Sequence, residues 1–160
     1  MKRLGVFLSA FLSLIGTVVA YAHLGFDRRL IIEPSLARLL QPVTGTDAAY
    51  GAVGCALVPA IVAAATAAYV VPNARGRAVR WAVELFVYTG CWLAGAYITA
   101  GVFSVEFGNT WTAREVWSGL VLDNYFALPL LCLGFGVNLL LSRCMGAVPT
   151  SVDAACAPES

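Results

Sequence analysis

Charge is scarce in this chain. Only 12% of its 160 residues are Asp, Glu, Lys or Arg, against about 25% in an ordinary soluble domain. No basic run exceeds a few positions, which removes the electrostatic footprint that nucleic-acid binding needs. His23 is the single histidine, so haem ligation by a histidine pair is excluded. The five cysteines (Cys55, Cys91, Cys132, Cys144 and Cys156) form no C-x-x-C pair, and neither a zinc nor a dithiol redox centre is expected. P-loop, H-E-x-x-H and dinucleotide-binding glycine patterns are missing as well. No metal, no cofactor and no catalytic set is expected, and the chain reads as a non-enzyme.

What the chain has instead is apolar length. It is 60% hydrophobic, with a mean hydropathy of +0.81. Apolar stretches run at about residues 4–25, 48–72, 81–104 and 116–141. Each is near or above the roughly 20 residues that a helix needs to cross a bilayer. The expected fold is an all-α integral membrane bundle of four transmembrane helices over residues 1–143, up-down, followed by a disordered polar tail at 144–160. Lys2, Arg3, Arg75, Arg77, Arg80 and Arg143 fall on one side of such a bundle, and Arg28, Arg29, Arg38 and Arg114 on the other. The excess of basic residues places both termini in the cytoplasm. A cell membrane, inner or plasma, is expected rather than an organelle.

Lys2-Arg3 and the Ala20-Tyr21-Ala22 ending of the first stretch have the layout of a cleaved signal peptide. The apolar run between them is longer than the roughly 7–15 residues of such a leader, so a retained helix is expected.

Small residues carry the packing signal. In the first span Gly5, Ser9, Ser13, Thr17 and Tyr21 recur every four residues, which places them on one stripe of a helix. In the second, Ala48, Ala52, Ala56, Ala60, Ala64 and Ala68 form an unbroken ladder. Small stripes let helix backbones approach closely, and span two is expected at the centre of the bundle. Pro59 and Pro129 are expected to kink spans two and four near their middles, and their similar placement hints at a two-plus-two duplication. Residues 34–41 read as a short interfacial helix between Pro34 and Pro42. Thr112-Ala-Arg-Glu115 fits a capping box. A helix starting there would run nearly thirty residues, to about Ser142.

Three polar side chains inside the spans are candidates for chemistry. Asp123 would lie within the bilayer if helix four starts near Ala113; alternatively, Asp123 and Asn124 cap a core helix that begins near Tyr125. Glu84 either serves a transport path or pairs with Arg80, four residues before it. Asn138 is expected to bond across helices. The leading functional expectation is a non-catalytic membrane subunit or accessory protein, packed against lipids and against other membrane subunits or copies of itself. Alternatives are a small oligomeric transporter or channel component using Asp123 and Glu84, and a protective, immunity-type membrane protein.

Overall fold

The structure is a computed structural model and describes residues 2–30, 35, 37, 40, 47–104 and 111–147. Among them only helices and turns occur. Helix α1 spans Lys2–Ala22 and α2 spans Asp47–Ala65. Each ends in a wide π turn, His23–Asp27 after α1 and Thr66–Val70 after α2. A single 3-10 turn, Val71–Asn73, then leads to α3, Arg77–Ser104. The short α4, Ala113–Glu115, continues as a π segment, Val116–Leu122. The last helix, α5, spans Ala127–Ala147. Among the described residues four helices are long and apolar enough to cross a membrane: Arg3–Asp27, Ala48–Asn73, Arg77–Ser104 and Ala127–Cys144. The interfacial helix expected at 34–41 lies almost wholly outside the described residues, as does the tail beyond residue 147.

Contacts fix the direction of each helix. Arg3, at the start of α1, lies over the Tyr69 ring at the end of α2. Arg143, near the end of α5, lies over Trp81 in the second turn of α3. Neighbours in sequence are therefore antiparallel. These contacts also gather Arg3, Arg80 and Arg143 at one end of the bundle, because Arg80 bonds the Ala74 carbonyl in the intervening turn.

The interior is small and partly polar, and the exterior is large and apolar. All six alanines of the α2 ladder are buried, none more than 2% exposed. Val53, Leu57, Val58, Ile61 and Val62 of the same helix point outward. Leu4, Leu8 and Leu12 of α1 and Leu128, Leu133 and Leu140 of α5 are exposed too. In water this arrangement would leave the main apolar area uncovered. In lipid, which is as apolar as leucine, helices gain by close packing of small groups.

Three sequence-based expectations are corrected. The central helix is α1, which packs against α2, α3 and α5. The reason is that α2 has one small face and one bulky face, so its alanines serve a single seam. The fourth apolar stretch, 116–141, is also two pieces, so the helix running from Ala113 to Ser142 is replaced by the alternative, a core helix that follows Asp123 and Asn124. Asn124 Oδ1 accepts the Phe126 N–H at 2.9 Å, a local bond that diverts the backbone from helix. The capping box at Thr112 is present, but the helix it starts ends at Leu122. The backbone N–H and hydroxyl of Thr112 donate to the Glu115 carboxylate, and these bonds hold that carboxyl below its usual range. Finally, Pro129 stands third in α5. A first-turn proline forfeits no hydrogen bond, so it does not kink the helix, whereas Pro59 lies well inside α2. The two prolines thus differ in depth, and the suggested duplication loses its basis.

The α2 seam can be tested by overfilling it. Ala56 is fully buried, and a Cβ built on Gly95 of α3 would lie 3.7 Å from its Cα. Ala56→Leu is expected to cost about 1–3 kcal/mol, the usual range for overpacking. The outward Val58→Ala is expected to leave stability nearly unchanged. Thermal unfolding of the purified protein in mild detergent checks both.

Candidate functional site

The polar stripe of α1 faces α3 and α5, and each of its members meets a partner at its own level. Ser9 donates to Val6 O and to Asn138 Oδ1, the latter at 3.1 Å. Asn138 Nδ2 in turn donates to Glu84 Oε1 at 3.0 Å. One turn on, the Ser13 and Tyr88 hydroxyls are 3.1 Å apart. The next turn brings the Trp92 indole N–H to Thr17 Oγ1 at 3.0 Å. Last, the Tyr21 hydroxyl donates to the Leu120 carbonyl at 2.8 Å.

This succession follows from helical spacing. Ser9, Ser13, Thr17 and Tyr21 are four apart on α1, and Glu84, Tyr88 and Trp92 are four apart on α3. Two parallel helices with matching four-residue rows place their side chains level with each other, turn after turn. The α5 row contributes Gly134 and Asn138. Gly134 is there for space: a Cβ on it would fall 2.6 Å from Tyr88 Oη and 2.8 Å from Thr17 Oγ1. Asn138 is only 1% exposed, so its amide has no water to replace the bonds to Ser9 and Glu84.

The structure thus brings Ser9, Ser13, Thr17, Glu84 and Asn138 into one polar seam. Asp123 is not part of it. That residue is exposed on the bend after Leu122, and its backbone N–H bonds Ser118 O. The neighbouring Asn124 is buried and starts α5 through its Oδ1 and its carbonyl. Its Nδ2 is buried without a hydrogen-bond partner. Glu84 does not pair with Arg80, whose Nε instead donates to Ala74 O at 3.0 Å. Ala52, Ala56, Ala60, Ala64 and Ala68 are buried and line the α2 seam.

Two features escaped the sequence reading. One is Trp92, fully buried and bonded to Thr17; its place four residues after Tyr88 was the available signal. The other is at the opposite end of the molecule. Asp27 accepts from the first free amides of α2, Ala48 N–H at 3.1 Å and Ala49 N–H at 3.3 Å. A carboxylate placed there caps a helix it does not belong to. Arg28 Nε donates to His23 Nε2 at 3.1 Å, which leaves His23 Nδ1 to donate to Asp27 at 3.1 Å. His23 therefore orients a cap.

Glu84 borders two spaces. Below it, a cavity of about 10 Å³ is lined by Ala10, Thr66, Tyr88 and Asn138 among others. Above it, a cleft of about 470 Å³ opens toward the arginine-bearing end. On the outward side of α3 lies a third, apolar groove of about 620 Å³, between Gly90, Ala94 and Tyr97 of α3 and Ala113 and Trp117 of the α4 region. Among the described residues, no three His, Cys, Asp or Glu side chains gather as metal ligands would.

No family model, curated protein or solved structure matches this chain. The functional reading rests on its own geometry.

Gly134 offers a direct test of the seam. Gly134→Ala is expected to push Tyr88 and Thr17 apart and to destabilise the protein by about 1–3 kcal/mol. Gly136→Ala, where a Cβ would meet nothing within 4 Å, is expected to be tolerated. Comparing the melting temperatures of the two variants separates loss of the close approach from any general effect of alanine.

Proposed function

We propose that this chain is a non-catalytic integral membrane subunit or accessory protein that presents the outward face of α3 to a partner helix. The observation that carries this reading is the groove beside Gly90 and Ala94. Both are exposed, and Gly101 continues their line three turns after Gly90. A Cβ on Gly90 or on Gly101 would meet no described residue within 4 Å. Small residues on an inner seam are explained by the bundle itself, but a small strip facing outward leaves room for a further backbone. Trp117 of the α4 region forms the opposite wall, in T-shaped contact with Tyr97 of α3 at 5.7 Å between ring centroids.

The internal polar groups support a structural role. Ser9, Ser13, Thr17 and Asn138 are each engaged with another residue of the bundle. Retention of α1 is part of the proposal, and it is supported by the burial of Tyr21 and Ala22 inside the bundle. Insertion with the arginine-bearing end in the cytoplasm follows the excess of basic residues there.

The test is purification from native membranes in mild detergent. A stoichiometric protein partner is expected, and Gly90→Leu is expected to release it without lowering the melting temperature. A partner retained by Gly90→Leu would remove the groove from the interface. Self-association alone would replace the partner subunit by a second copy.

A second reading, a small transporter or channel component, is favoured by one observation: Glu84 borders both the outer cleft and the inner cavity. Glu84→Gln keeps an acceptor for Asn138 and removes the titratable group. A role in transport predicts loss of flux for this variant in reconstituted vesicles, and unchanged flux would end that reading.

A further inference from the structure

The cleft at the arginine-bearing end has a composition that neither a partner helix nor a transport path explains. Arg77, Arg80 and Arg143 line it together with Trp81, Ser142 and Glu84. Three guanidinium groups thus share the space with one carboxylate. No carboxylate of a described residue stands at ion-pair distance from any of these three arginines. Arg80 uses its Nε on Ala74 O, which holds the side chain while leaving its terminal amino groups to donate. Arg143 is held over the Trp81 ring, 5.7 Å from its centroid. The Glu84 carboxylate is engaged from inside by Asn138. Three like charges gathered without a partner repel one another, and an anion between them removes that cost.

We propose that this cleft binds the phosphate group of an anionic lipid headgroup. Guanidinium groups match phosphate oxygens in charge and in donor geometry. Basic pockets between membrane helices on the cytoplasmic side take anionic headgroups in this way. Gly76, with φ +88°, turns the chain sharply into α3, and both it and Arg77, the first residue of that helix, line the cleft.

The source of the phosphate is argued from the walls. Val71 and Leu139 complete the lining, and Trp81 is exposed at its rim, at the level where interfacial tryptophans sit. One turn after Trp81 on the same face of α3, the exposed Leu85 continues the surface in apolar form, and the exposed Leu140 adjoins Leu139 on α5. A headgroup in the cleft would have its acyl chains against these side chains, which a free phosphate ion would not use.

Binding of short-chain phosphatidylglycerol, short-chain phosphatidylcholine and inorganic phosphate to the purified full chain in detergent tests this. Phosphatidylglycerol is expected to bind and to outcompete the zwitterionic lipid. The double variant Arg77→Gln/Arg143→Gln is expected to bind it about thirtyfold more weakly, roughly fivefold per arginine. Arg29→Gln, an exposed arginine at the opposite end, is expected to bind as the unaltered protein does. Equal binding of the two lipids would overturn the proposal without any variant. So would a double variant that binds as Arg29→Gln does. Displacement of phosphatidylglycerol by an equal concentration of inorganic phosphate would make a free anion the ligand and overturn the lipid assignment. Arg143→Gln alone, with its fivefold expectation, decides the matter if the double variant does not fold.

Discussion

A hydroxyl in an apolar interior has no water to bond, and α1 carries four of them in a row. Ser9, Ser13, Thr17 and Tyr21 must each find a partner in the bundle or carry a penalty. The rest of the structure answers that requirement. On α3, Glu84, Tyr88 and Trp92 repeat with the same spacing and run parallel to α1, so two rows meet group by group. On α5, Asn138 bridges Ser9 and Glu84, and Gly134 makes room for Thr17 and Tyr88. The segment after α4 supplies the Leu120 carbonyl for Tyr21. Each such bond between membrane helices contributes about 0.6 kcal/mol on average. Their joint effect is chiefly to fix register, because sliding α1 by one residue would break all of them.

The other seam follows a different rule. Between α1, α2 and α3 there is little polar material and much alanine, and proximity replaces hydrogen bonding. Ala56 lies near Gly95, and Gly51 lies so close to Phe103 that a Cβ there would be 2.5 Å from the ring. The bulky residues that this seam cannot hold are on the outside. One division, small and polar within and large and apolar without, therefore explains both the core and the surface. The exceptions to it are informative. Gly90 and Ala94 are small yet outward, and the arginine cleft is polar yet unpaired.

Local periodicity made half of each contact legible in the sequence. The α2 ladder and the α1 stripe stood out because a repeat of four reports a helix face directly. Which face meets which was hidden, because pairing across helices leaves no mark within either one. The alanine run therefore looked central, although its Val, Leu and Ile residues occupy the reverse side of the same helix. Asp123 illustrates a second limit. The apolar pattern continues through it and the capping box at Thr112 is real, so the sequence leaves open both a continuous helix and a core helix that begins near Tyr125 behind Asp123 and Asn124. One side-chain bond from Asn124 decides for the second, and such bonds compete with helix at energies too small for composition to show. The partner of Trp92 and the arginine cleft were hidden for a related reason. Trp92 looks like any apolar residue until Thr17 is placed beside it. The cleft combines residues from α3 and α5 that adjoin only once the bundle is folded.

The hydrogen bond between Ser9 and Asn138 joins residues 129 positions apart, and this bears on how the chain is made. A ribosome delivers α1 first and α5 last. Until α5 arrives, Ser9 lacks its asparagine, and the helix at the heart of the finished bundle is only partly enclosed. Until then α1 must hold its polar groups turned toward whatever is near. Chains cut short before α5 would expose that stripe, which makes an unfinished molecule chemically distinguishable from a finished one.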